Sequence, residues 1–409
     1  MNTEKLIPHL FRTESRKISA VLNKHFGIDY MEIAEDIVSD TFLSALETWP
    51  YKGIPDNPKA WLYAVAKNKT KNHIARTSNF ENNITLEIFQ NSEISTEIDL
   101  SERNISDSQL QMLFAVCHPS ISRESQIALA LKTLCGFGIH EIATAFLSNK
   151  ETINKRLFRA KEKLKSEKIK IEFPEESKIT ERLDTVLLTL YLLFNEGYYS
   201  ENQDNIIRKE LCSEAMMLLE LLLENYADKI PKIHALYALM CFHSSRLNAR
   251  KDENGQLILY QNQDENNWDR SLIDKGIVHL HLATKGETAS KYHIEASLAY
   301  WMTHKQDTKE KWEHVLKLYN LLLFQEYSPI AALNRTFALS KVYGNEVAKV
   351  EAEKLKLETN PFYFSLLAEF NKEKNKEIAI EYLKKAKEIS TSKAQKELIS
   401  SKIADLLKA

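Results

Sequence analysis

Glycine and proline are scarce, with nine of each in 409 residues. So few turn-formers do not suit the many short strands of a sandwich or barrel, and Leu, Ala, Glu and Lys fill the long intervals between them. An all-α chain, long enough for two or three domains with substantial cores, is the expectation. Cysteine is sparse as well: Cys117, Cys135, Cys212 and Cys241 form no CxxC pair, which suits free buried thiols in a reducing cytoplasm. No apolar run approaches eighteen residues and the polar N-terminus has no signal-peptide core, so a soluble, cytoplasmic protein without a membrane partner is expected. The net charge of −2 excludes a diffuse polycation, and any nucleic-acid surface must be local.

One local surface stands out between Gly138 and Leu164. Ser148 and Glu151 have capping-box spacing and predict a helix from about Asn149. In that helix Ile153, Leu157, Ala160 and Leu164 fall on one stripe, while Lys150, Asn154, Lys155, Arg156 and Arg159 fall largely outside it. Upstream, Ile139, Ile142, Ala143 and Phe146 make a shorter amphipathic helix, and the gap between the two fits only the tight turn of a helix-turn-helix. That geometry places the start of the second helix in a major groove, where Lys and Arg reach guanine edges or phosphates. A basic amphipathic helix serves equally as a solvated face, and these residues alone leave both readings open.

Earlier in the chain, Asp29 and Glu32 can cap a helix from near Tyr30 to Trp49, with Ile33, Ile37, Phe42, Ala45 and Trp49 on its buried side. Asp36 and Asp40 lie one turn apart on another face, either a plain acidic surface or a seat for a basic partner. The segment 50–57 reads as a loop, after which Asn57 and Pro58 open a helix running to about Thr77. Trp61 and Tyr63 stand near its start, and Lys67, Asn68, Lys69, Lys71, Asn72 and Arg76 along its later turns. Rings beside cations and amides suit unpaired DNA, where bases stack and cations follow the backbone; rings at helical spacing also suit a core.

Ala34–Leu46, Ala60–Asn68 and Lys71–Ile74 resemble region two of the extracytoplasmic-function sigma factors, and Gly138–Leu164, with Glu141-Ile-Ala143 and Arg159-Ala160, resembles their region four. The resemblance implies that Asp36 and Asp40 dock on the β′ clamp of core RNA polymerase. It implies that Tyr51, Lys52, Trp61, Asn68, Lys71, Asn72 and Arg76 engage and open the −10 element of promoter DNA. It also implies that Lys150, Thr152, Asn154, Lys155, Arg156 and Arg159 read the −35 element, with this region against the β flap. The expected domains are residues 1–77 and 108–168, joined by an acidic linker over 78–107 that carries Glu81, Glu87, Glu93, Glu97, Asp99 and Glu102 against Arg103. About thirty residues extend roughly 100 Å, enough to bridge two elements about 70 Å apart.

A short linker, 169–176, precedes a further helical domain over 177–409. Tyr363, Leu366, Leu367 and Phe370, then Ala379, Leu383 and Ala386, follow the alternation of a tetratricopeptide repeat, with helices near Pro361–Phe370 and Glu377–Ile389. Periodicity also predicts helices over Leu211–Glu224, Ile233–Arg246, Tyr292–Thr303, Trp312–Phe324 and Ile330–Val342, giving a TPR-like α-solenoid. Leu192–Tyr198, Gln263-Asp264, Trp268-Asp269 and Leu333–Arg335 resemble the sigma-factor subgroup with such an extension, from which Glu265 departs. Asn195, Glu196 and Gly197 read either as a helix C-cap or as an interdomain or regulatory contact, and the extension as the receiver of a regulatory protein or ligand. His279 and His281 point to different helix faces and read as solvated. His140-Glu141 is followed by Thr144 where a zincin needs a second His, and no catalytic, phosphate-binding or metal set converges. A non-enzymatic sigma factor without cofactor is the leading reading; the alternative is a stand-alone helix-turn-helix regulator with a peptide- or ligand-sensing solenoid.

Overall fold

A computed structural model describes residues 3–80, 98–146, 148–199, 209–226, 230–250, 258–286, 289–390 and 393–408. The described residues form helices and turns and no strand. They divide into two compact units, Met1–Phe194 with Ser213–Leu221, and Asn195–Cys212 with Leu222–Ala409.

The first unit opens with α1 (Thr3–Phe26), α2 (Met31–Lys52) and α3 (Pro58–Phe80). Their shared core includes Ile18, Leu22, Ala34, Phe42, Ala45, Trp49 and Leu62. The expected buried side of α2 is buried, apart from a half-buried Ile33. Its cap differs: Tyr30 stands at the N-cap with no side-chain bond, because Ile28–Tyr30 already turn as a 3-10 helix and leave Asp29 inside it. Its end differs too. Pro50 sits in the last turn, and the helix runs on to Lys52 before Gly53, at φ 85°, stops it. Asn57 caps α3 as expected, its Oδ1 accepting from the Ala60 amide at 3.0 Å.

Next come α4 (Glu102–Val116), α5 (Arg123–Thr133), α6 (Ile139–Ala145) and α7 (Lys150–Ser166). The expected linker overlaps α4: Ile98 and Ile105 are buried in the α1–α3 core, Asp99 bonds Ser101, and Ser101 caps the helix. Residues 81–97, with Glu81, Glu87, Glu93 and Glu97, lie outside the described residues. Gly136, at φ 61°, lies in the break between α5 and α6.

The expected boundary at 169–176 is not where the packing divides. Helix α8 (Glu176–Tyr199) belongs to the first unit as far as Phe194, and α9 (Lys209–Tyr226) contributes Ser213–Leu221 to it. Arg182 of α8 donates to the Phe114 carbonyl at 3.2 Å, and Phe173 meets the Phe114 ring at 6.4 Å. The reading of Asn195, Glu196 and Gly197 as a C-cap is also corrected, since α8 passes through them to Tyr199; the Glu196 side chain lies outside the description.

In the second unit α10 (Pro231–Ser244) packs on α11 (Arg270–Ala283) and α12 (Lys291–Trp301). Helices α13 (Lys309–Gln325) and α14 (Pro329–Tyr343) form a pair, followed by α15 (Asn345–Lys354). A second pair, α16 (Pro361–Asn371) and α17 (Lys376–Ile389), precedes α18 (Lys393–Lys408). The bounds of α10, α12, α13, α14, α16 and α17 lie within a few residues of those periodicity gave. Tyr363, Leu367 and Phe370 are buried on α16, and Ala379, Leu383 and Ala386 on α17. His281 is exposed, but His279 is only half-exposed: its Nδ1 lies 2.8 Å from that of His234, and its ring 4.7 Å from that of Tyr237, because α11 turns this face onto α10.

Candidate nucleic-acid interface

Helices α6 and α7 are separated by residues 146–149, the short turn a helix-turn-helix requires. Glu141 holds the start of α6, its Oε2 accepting from the Gly138 amide at 2.6 Å, so this residue of the near-zincin pattern has a local structural role. The cap of α7 is Asn149, whose Oδ1 accepts from the Thr152 amide at 2.8 Å. The expected Ser148–Glu151 box is absent, because Glu151 instead pairs along the helix with Lys155 at 2.6 Å. Ile153, Leu157, Ala160 and Leu164 are buried as their spacing required.

Lys150, Thr152, Asn154, Lys155 and Arg159 are exposed together on the outer side of α7. Arg156 is set apart. It is half-buried, with its guanidinium 5.2 Å from the Phe146 ring centroid, and so braces the turn as well as carrying charge. Phe158, 66% exposed between these cations, escaped the sequence reading; its signal was a ring placed off the buried stripe.

The second candidate surface lies at the α2–α3 junction. Tyr51, 89% exposed, and Lys52 stand at the end of α2. Trp49 is buried and meets Trp61 edge-on at 5.4 Å, which joins the end of α2 to the start of α3. Trp61 is half-buried in consequence, with part of its ring outside the core. Asn68, Lys71 and Asn72 are exposed, and Trp61, Asn68 and Asn72 fall on one helical stripe. The Arg76 side chain lies outside the described residues.

Tyr63 is half-buried against the α1–α3 core. Its hydroxyl donates to Glu14 Oε2 at 2.6 Å, while Lys59 and Lys17 approach Oε1 at 3.1 and 3.5 Å. Burial alone would raise the Glu14 carboxyl, but the Tyr63 bond and the two lysines outweigh it and hold it below its ordinary value. Burial, then Glu14, pushes the Tyr63 phenol upward.

Asp36 and Asp40 are exposed on α2, next to Leu43 and Leu46 at 51% and 54% exposure. Acidic groups beside bare leucines make a mixed surface that solvent alone does not favour. The leucines were not singled out from sequence, although Leu43 follows Asp36 and Asp40 at helical spacing. Lys161 of α7 reaches Glu35 of α2 at 3.6 Å, so the helix-turn-helix and α2 border each other within the first unit. Glu214 of α9, within the same unit, accepts from Gln109 Nε2 at 2.7 Å. Burial raises its carboxyl above the ordinary value, although Arg16 and Gln109 work against this.

Residues 10–80 match sigma-70 region 2, and residues 182–284 match a family of unknown function. An uncharacterized protein of Rhizobium meliloti (strain 1021) is 32% identical over 330 residues, covering 80% of this chain and 78% of its own. The chain belongs to the same family as that protein. The region 2 domain at its N-terminus supports a sigma factor acting in transcription initiation, with core RNA polymerase and promoter DNA as partners. No solved structure matches the chain. Among the described residues, no helix is long and apolar enough to cross a membrane.

Proposed function

We propose that the chain is an alternative sigma factor of the extracytoplasmic-function type with a TPR-like extension, acting by binding and strand opening without covalent chemistry. The observation that carries this reading is the region 2 match over α1–α3, on the helices that expose Asp36, Asp40, Tyr51, Asn68, Lys71 and Asn72. In this reading the acidic face of α2 docks on the β′ clamp, the α2–α3 junction takes the unpaired −10 strand, and α7 reads the −35 duplex. The extension regulates through α9, where Glu214 and Met217 meet Gln109 and Ser106 of α4.

Run-off transcription from a candidate promoter, with core polymerase and the full-length chain, tests the proposal. Core enzyme alone is expected to give no specific transcript and the mixture to give one. Glu214→Lys, which sets a cation near Arg16, is expected to change the yield severalfold. The absence of a specific transcript across a promoter library contradicts the sigma-factor reading, and an unchanged yield with the variant contradicts regulation through α9.

A further inference from the structure

A polar cluster in the second unit has no part in that reading. It forms where the end of α10, the turns over 258–269 and the start of α13 come together. Four of its side chains are almost wholly enclosed: Arg246 is 9% exposed, Gln263 4%, Trp268 3% and Lys311 2%. Tyr260 is the platform between them. Its ring stacks on Trp268 at 6.2 Å and 25° and receives two cations, Arg246 Cζ at 5.4 Å and Lys311 Nζ at 5.5 Å from its centroid. Lys311 Nζ also donates to the Tyr260 hydroxyl at 3.3 Å and the His304 carbonyl at 2.5 Å.

Of the neighbouring carboxylates, Asp307 is engaged by the Trp312 indole and by Lys341 at 2.8 Å, and Glu265 faces Arg270 at 3.8 Å. Among the described residues neither Arg246 nor Lys311 has a carboxylate within ion-pair distance. Burial, then Arg246 and Arg250, brings the adjacent His243 imidazole down to about 3. A buried cation without a paired carboxylate is costly, and its placement over a ring offsets only part of that cost. Among the described residues, three buried atoms in the cluster also have no hydrogen-bond partner: the donors Arg246 Nε and Trp268 Nε1, and the acceptor Gln263 Oε1. Groups so enclosed are ordinarily satisfied.

We propose that this cluster binds a small metabolite through an oxyanion, a carboxylate or a phosphate. Arg246, Lys311 and the Trp268 indole hold the anion, and Gln263 Oε1 accepts from a hydroxyl or amide of the same molecule. Arginine suits this role because its planar fork matches both oxyanions. The enclosure of the cluster restricts the ligand to a small molecule and excludes a nucleic-acid backbone. The site goes beyond the sigma-factor reading and does not depend on it.

Isothermal titration of the full-length protein with inorganic phosphate and, separately, with succinate, at ionic strength held constant with sodium chloride, tests the site. Saturable one-site binding is expected with one of the two probes, and which one identifies the oxyanion class. Arg246→Gln is expected to weaken it at least tenfold. Gln263→Glu is nearly isosteric and adds a buried negative charge to the cluster. It is expected to raise the melting temperature of the unliganded protein while weakening probe binding at least tenfold. The proposal is overturned by non-saturable heats with both probes, by affinity unchanged in both variants, or by a melting temperature lowered in Gln263→Glu.

Discussion

At the scale of single residues, Glu14 carries more of the first unit than its place in a plain helical run suggests. It is 1% exposed and joins α1 to α3 through Tyr63 and Lys59. Glu14→Gln is expected to lower stability to urea unfolding by about 2 kcal/mol at neutral pH, the range of a hydrogen bond to a charged group. Because the folded carboxyl sits below its ordinary value of 4.5, its contribution is present above that pH and is lost as pH falls through the depressed value. The variant's stability curve is therefore expected to lack this acid loss, and parallel curves for the two proteins would contradict the assignment. Little of this was legible in sequence: Tyr63 could be placed between core and surface, but its partner lies 49 positions away. Arg156 was misplaced for a related reason, since helical spacing gives a face and not the ring of Phe146 beneath it.

At the scale of elements, the helices were legible because their apolar positions recur at the helical period. The bounds of α13, α14, α16 and α17 followed from that recurrence, with proline at the start of α14 and α16 and an asparagine cap on α17. Ends were less legible where two residues compete for one role. Ser148 and Asn149 are both good caps, and the structure uses Asn149. Asn149→Ala is thus expected to cost about 1 kcal/mol of stability, and Ser148→Ala only a few tenths by the same measure; thermal melts of both variants check the order, and the reverse order would restore the box. Pro50 misled in another way. Proline is a helix breaker in a helix interior, but near the last turn of α2 the chain tolerates it and the stop falls to Gly53. This places Tyr51 and Lys52 on a helix end, beside Trp49 and Trp61.

At the scale of the whole molecule, composition and two separated motifs indicated the helical class and the region 2 domain, now matched over residues 10–80. What sequence did not reveal was how far the first unit reaches along the chain. Contacts such as Ser106 with Met217, 111 positions apart, leave no periodic trace, and so α8 and α9 were assigned to the C-terminal domain. The surface that matters most to the account is the acidic and leucine-bearing face of α2. Its most direct test is the equilibrium affinity of the full-length chain for core RNA polymerase, compared with an Asp36→Lys, Asp40→Lys variant. Both positions are exposed, so the variant is expected to melt with the wild-type protein while binding at least tenfold more weakly. A wild-type chain that does not associate with core polymerase at micromolar concentration contradicts the central claim, and equal affinity in the variant moves the docking surface off α2.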